Sequence, residues 1–76
     1  MALFIGPIAA VSGSHVNINS ADAEQLTALP GIGPSLAERI IEYRGEFPFE
    51  APEDIMKVSG IGESTFNNIK DLITVE

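Results

Sequence analysis

Seventy-six residues allow one small domain, and the absence of any cysteine excludes disulfide staples, zinc knuckles and thiol chemistry. Eleven acids against four bases give a formal charge of −7, and every one of these charges lies between Asp22 and Glu76. Such a balance repels a polyanion at long range and weakens any steered approach to nucleic acid.

From Met1 to Ala21 the only titratable side chain is His15. The run from Ala2 to Val11 is apolar but shorter than the roughly 20 residues that span a bilayer, so no stable membrane span is expected. It resembles the apolar core of a secretory signal, with small residues at Ala10-Val11-Ser12-Gly13 for cleavage, although a basic start is missing. As a truncated signal it makes the protein periplasmic or exported; otherwise a cytoplasmic location is expected. Gly13-Ser14-His15 equally suits a cloning remnant, and an apolar segment docking on a partner is the third option. Residues 1–15 are therefore set apart from a folded domain over 16–76.

Val16-Asn-Ile-Asn19 alternates like an extended arm, with Val16 and Ile18 on one side. Asn19 or Ser20 is then expected to cap a helix with Asp22 and Glu24 near its start, where the helix dipole favours acids. That helix presents Leu26 and Leu29 and stops at Pro30-Gly31. Pro34 suits the first turn of a second helix, along which Leu36, Ala37, Ile40, Ile41 and Tyr43 follow at helical spacing, with Gly45 as the expected stop. Between Gly45 and Ala51 a connector offers Phe47 and Phe49 as plugs for the seam. Pro52, Glu53 and Asp54 open a third helix presenting Ile55 and Val58, the chain turns at Gly60-Ile-Gly62, and a last helix carries Phe66, Ile69, and Leu72 or Ile73. The fold class is all-α, a domain of four to five short helices.

A repeat at an offset of 29 residues organises this series. Leu29-Pro-Gly-Ile-Gly-Pro-Ser35 returns as Val58-Ser-Gly-Ile-Gly-Glu-Ser64, and around it Leu26 matches Ile55, Ala37 matches Phe66 and Ile40 matches Ile69. A repeat of this length is one supersecondary unit whose apolar face needs a second copy to cover it. The shared Gly-Ile-Gly carries the chemistry. The first amides of a helix lack internal partners and sit at the positive end of its dipole, so a tight turn into a helix can receive an anion. Glycines permit positive φ and let a phosphate approach without a Cβ in its way, while the middle isoleucine anchors the turn inward. Short helix–helix turns also use glycine for steric reasons alone; two copies in register favour an anion-binding origin. A pseudo-two-fold pair of such turns suits phosphates on both strands of a duplex, and backbone amides read no base edges.

The remaining candidates have plainer accounts. Glu53-Asp54 belongs to a helix's first turn, and Glu38, Glu42 and Glu46 make a solvated stripe. His15 has no companions for a metal site, and no pocket of the glycosylase kind fits this length, so an enzyme is not expected.

Val16-Asn-Ile-Asn-Ser-Ala-Asp-Ala-Glu-Gln-Leu26, Leu29-Pro-Gly-Ile-Gly33, Ile41-Glu-Tyr-Arg44, Phe47-Pro-Phe49, Glu53-Asp54 and Val58-Ser-Gly-Ile-Gly62 together resemble the ComEA family, tandem helix-hairpin-helix DNA receptors of bacterial competence. The resemblance covers Val16 to about Val75. It implies a tandem helix-hairpin-helix domain, acting in the periplasm, that holds incoming duplex DNA without sequence preference and helps to draw it inward without cutting it, with DNA-uptake machinery proteins as partners. It also implies phosphate contacts at Gly31, Gly33 and Ser35 in the first unit, and at Gly60, Gly62, Ser64 and Thr65 in the second. By likeness to hairpins of repair polymerases, Na+ or K+ would be held by the carbonyls of Thr27, Leu29 and Ile32, or of Met56, Val58 and Ile61.

The chain departs from that family where Ser35 and Ser64 stand in place of a basic residue, and Pro34 has no amide to donate. Arg39, Lys57 and Lys70 remain as helpers, each with an alternative as an ordinary surface charge. Weak, salt-sensitive binding is expected. The alternative function is a protein–protein interaction module on the same fold, similar to the extrinsic subunit of photosystem II. A third is an accessory module of a cytoplasmic repair protein.

Overall fold

The computed structural model describes residues 15–75; the apolar run read as a signal-like segment, residues 1–14, lies outside them. The chain forms β1 (Val16–Asn17), α1 (Ala23–Thr27), α2 (Pro34–Glu46), the 3-10 helix η1 (Pro52–Lys57), α3 (Glu63–Ile69), the 3-10 turn η2 (Lys70–Leu72) and β2 (Ile73–Thr74). The expected all-α architecture is present, with one addition: β1 and β2 pair in parallel, Val16 opposite Ile73 and Asn17 opposite Thr74.

The cap of α1 is Asp22 rather than Asn19 or Ser20. Its carboxylate accepts the Gln25 amide at 2.9 Å, while the Asp22 amide donates to the Gln25 side chain at 3.1 Å, a reciprocal capping box. The two residues first expected are engaged elsewhere. The Asn17 carbonyl takes the amides of Ser20 and Ala21, and the Asn19 carboxamide reaches Phe49, accepting its amide and donating to its carbonyl, each at 2.8 Å.

Gly45 does not stop α2. The helix runs through it to Glu46, and the Phe47 amide still donates to the Tyr43 carbonyl at 2.8 Å. The break falls at Phe47, extended at φ −135°, because a residue before proline is driven out of the helical region by the Pro48 ring. Only one of the two phenylalanines plugs the seam. Phe49, gripped by Asn19, is 3% exposed, whereas Phe47 is 59% exposed, its ring 5.6 Å from Tyr43. Tyr43 stacks on Phe49 at 5.4 Å.

Neither Leu72 nor Ile73 belongs to the last α-helix. Leu72 lies in η2 with much of its side chain exposed, and Ile73 is buried because the chain has turned into β2. The Arg44 guanidinium straps this corner by donating to the Ile18 carbonyl at 3.0 Å.

The core follows the repeat. Leu26 and Ile55, Leu29 and Val58, Ile32 and Ile61, Ala37 and Phe66, and Ile40 and Ile69 are all buried, joined by Ile18, Phe49 and Ile73. Each large aliphatic side chain so placed contributes about 1.5–3 kcal/mol. No polar or charged side chain is buried among the described residues. The effect is to fix the two Gly-Ile-Gly corners by their isoleucines.

Candidate nucleic-acid interface

Each corner is a four-residue turn. In Leu29-Pro-Gly-Ile32 the Ile32 amide donates to the Leu29 carbonyl, and in Val58-Ser-Gly-Ile61 the Ile61 amide donates to the Val58 carbonyl, both at 3.1 Å. The third residue has positive φ in both, +85° at Gly31 and +97° at Gly60, as a type II turn requires. Ile32 and Ile61, each 3% exposed, point inward as expected.

The two glycines of a pair have different reasons to be there. Gly31 and Gly60 are demanded by the turn. Gly33 and Gly62 are not: both are extended, at φ −93° and −105°, and a Cβ built on either meets nothing within 4 Å. The fold would accept a side chain at both. What glycine secures there is clear space outside the protein.

Unsatisfied donors border that space. The caps of α2 and α3, Gly33 and Gly62, make no side-chain hydrogen bond. Among the described residues the amides of Gly31, Gly33, Ser35 and Leu36 have no protein partner, and neither do those of Gly60, Gly62, Glu63, Ser64 and Thr65. Gly31, Gly33, Ser35, Gly60, Gly62 and Ser64 are exposed and Thr65 is half-buried. Sequence reasoning missed the amides of Leu36 and Glu63, which a count of first-turn donors from each cap would have found.

The turns lie against each other's units. A Cβ on Gly31 would sit 3.7 Å from the Thr65 methyl, and one on Gly60 would sit 2.8 Å from Leu36 Cδ2. Leu36 and Thr65 are repeat mates, as are Gly31 and Gly60, so the contact is reciprocal about the pseudo-two-fold. Both sets of donors thereby share one end of the molecule.

The basic helpers fare unequally. Lys57 Nζ lies 3.3 Å from Asp54 Oδ1. The Asp54 carboxyl is held below its ordinary value mainly by the Glu50 amide, with Lys57 and the Ala51 amide adding to the effect and desolvation opposing it. Arg39 donates to the Ser59 carbonyl at 3.1 Å. Lys70 is exposed in η2, and Glu38, Glu42 and Glu46 are exposed along α2 as expected.

The carbonyls of Leu29 and Val58 each accept one turn amide, while those of Thr27, Ile32, Met56 and Ile61 accept nothing among the described residues. Among the described residues no group of three or more His, Cys, Asp and Glu could hold a metal, and no helix is long and apolar enough to cross a membrane.

A family model described as the helix-hairpin-helix motif matches residues 11–74. The chain is similar to ComE operon protein 1 of Bacillus subtilis, 55% identical over 65 residues that make up 84% of this chain and 32% of that protein. It is 38% identical over 66 residues to the human endonuclease/exonuclease/phosphatase family domain-containing protein 1, covering 86% of this chain and 12% of the relative. It is also 38% identical over 45 residues to a PolC-type DNA polymerase III of Staphylococcus saprophyticus, covering 59% of this chain and 3% of that one. The chain spans about a third of the first of these proteins and a far smaller share of the others.

Proposed function

From the premise that the chain belongs to the helix-hairpin-helix family, in its tandem ComEA-like form, we propose that it is a non-enzymatic module that holds duplex DNA without regard to sequence during DNA uptake. The observation that carries this reading is the pair Gly33 and Gly62, which stay open where the fold has no use for a glycine, beside amides with no protein partner. Phosphate oxygens are the acceptors such donors await, and charge-assisted bonds to an oxyanion are stronger than neutral ones. Gly31, Gly33 and Ser35 serve one strand; Gly60, Gly62, Ser64 and Thr65 serve the other. Since amides and phosphates fix position and not sequence, the grip is indifferent to the bases between them.

The acidic surface shapes the affinity. With a formal charge of −7 the approach is opposed at long range, and binding depends on short-range contacts. Affinity is weak and falls with salt. Na+ or K+ on the carbonyls of Thr27, Leu29 and Ile32, or of Met56, Val58 and Ile61, would place positive charge at a turn and soften that repulsion. On this reading the protein is exported to the periplasm, where it helps to draw DNA inward with uptake proteins as partners.

A protein-interaction role is the second reading, and one observation favours it. The exposed Phe47 borders a cleft of about 260 Å³ lined also by Tyr43, Pro48, Lys57 and the acids Glu46, Glu50 and Asp54. This lies at the far end of α2 from the glycine corners, so a protein partner there would leave them open.

The deciding test is titration of random-sequence duplex at low and moderate salt with the protein and its Gly33→Val, Gly62→Val double variant. Valine is at home in extended backbone, so the variant keeps its helical signal and melting temperature. Binding that weakens with salt and disappears in the variant supports DNA capture. Equal binding by the variant, or none by the parent at low salt, overturns it.

A further inference from the structure

The second hairpin has Ser64 where a basic side chain would meet a phosphate, yet a cation does stand at its turn. It comes from the other unit. Arg39 belongs to α2, with Glu38 and Glu42 on the same helix, but no carboxylate lies within 4 Å of its guanidinium among the described residues. It crosses instead to the second turn. There Nη1 donates to the Ser59 carbonyl at 3.1 Å and stands 2.9 Å from where a Cβ on Gly60 would be. One donor of the guanidinium is thus engaged; the others remain available on an exposed side chain, since the group carries several N–H donors in a rigid fork.

The first hairpin has no counterpart. The repeat mate of Arg39 is Asn68, a neutral side chain, and the atom nearest a Cβ on Gly31 is the Thr65 methyl at 3.7 Å. Lys57, the nearest basic residue in sequence to the second turn, is committed to Asp54.

We propose that Arg39 is a phosphate ligand of the second hairpin, contributed across the boundary between units, and that the domain therefore grips its two strands unequally. One is held by amides with a fixed positive charge beside them, the other by amides alone. The Ser59 carbonyl orients the fork, which lowers the ordering cost of a long side chain. This assignment rests on the DNA-binding reading above.

The test is a series of duplex titrations over sodium chloride with the full chain, the variants Arg39→Gln and Arg39→Lys, and the double variant Arg39→Gln, Glu46→Gln, which restores the net charge at the far end of α2. Glutamine can still donate to the Ser59 carbonyl but brings no charge. Arg39→Gln is expected to weaken binding about tenfold at low salt and to lower the slope of log affinity against log salt by about one, with unchanged melting. Arg39→Lys keeps that slope, and the double variant Arg39→Gln, Glu46→Gln shows the same loss as Arg39→Gln although its net charge equals the parent's. A slope in Arg39→Gln equal to the parent's overturns the assignment. So does a return to the parent's affinity and slope in the double variant, which would show that only net charge counts. No binding by the parent at low salt overturns the DNA reading along with it.

Discussion

The two hairpins share a turn, an inward isoleucine and an open second glycine, but they are built into different surroundings. The first is entered from an α-helix opened by a capping box and leads into a helix of thirteen residues that begins with proline. The second is entered from a 3-10 helix and leads into one of seven residues that begins with Glu63. Pro34 withholds an amide that Glu63 can offer, and Arg39 supplies the second turn with a charge the first lacks. Duplicated backbone geometry has thus been kept while the electrostatics of the copies diverged. The lesson is that the turn belongs to the fold and the charge beside it belongs to the site.

The largest expected difference between the copies is in stability, at their first glycines. Gly31→Ala places a Cβ in ordinary contact with the Thr65 methyl, 3.7 Å away, and costs only the left-handed backbone term, about 1–2 kcal/mol. Gly60→Ala meets the same term and also pushes aside the ends of the Leu36 and Arg39 side chains, 2.8 and 2.9 Å away, adding about 0.5–1 kcal/mol because both ends are free to shift rotamer. Chemical denaturation of both variants checks this; equal costs would show that the two turns are packed alike. Next come the second glycines, now in binding rather than stability. Gly33→Val and Gly62→Val should each leave unfolding within about 0.5 kcal/mol of the parent, as exposed substitutions do. Each should weaken duplex binding, Gly62→Val by about tenfold more, because it also separates the phosphate from Arg39. Indistinguishable dissociation constants for the pair would remove the asymmetry.

The repeat was legible because burial follows apolar spacing: Leu26 with Ile55 and Ile40 with Ile69 needed only the offset of 29 to be matched. The turn glycines were legible too, since few residues take positive φ. What stayed hidden depends on partners distant along the chain. Asn19 looks like a helix cap until Phe49 is placed beside it, and two-residue strands as short as Val16–Asn17 carry no signal of Ile73–Thr74 as their mate. Ile73 consequently passed for a helical residue. Arg39 is the clearest case in the site, because local spacing offers it Glu42 three residues on, while its bond goes to Ser59, twenty residues away. The difference between Gly31 and Gly33 was likewise invisible, since sequence does not say which glycine of a pair is conformationally required.

The entry helices give the smallest contrast, and it can be separated by acid. At the first, Asp22 caps α1 from outside, and Asp22→Ala should cost about 1 kcal/mol at neutral pH, the usual worth of an N-cap. At the second, Asp54 works backwards from inside η1, its carboxylate accepting the amides of Glu50 at 3.0 Å and Ala51 at 3.3 Å beside the Lys57 ammonium. These contacts lower its pKa in the folded state below the ordinary value of 3.8, so the folded chain holds its proton less firmly than the unfolded one. The stabilisation is then fully present above that ordinary value and is lost as pH falls through the depressed folded one. Asp54→Asn should therefore be the less stable protein at neutral pH, by less than Asp22→Ala because the ion pair is open to solvent, and the gap to the parent should close in strong acid. Denaturation midpoints of parent and Asp54→Asn, followed from neutral pH down to well below 3.8, measure that closure. A gap that persists unchanged in acid would mean that Asp54 acts through packing and not through its charge.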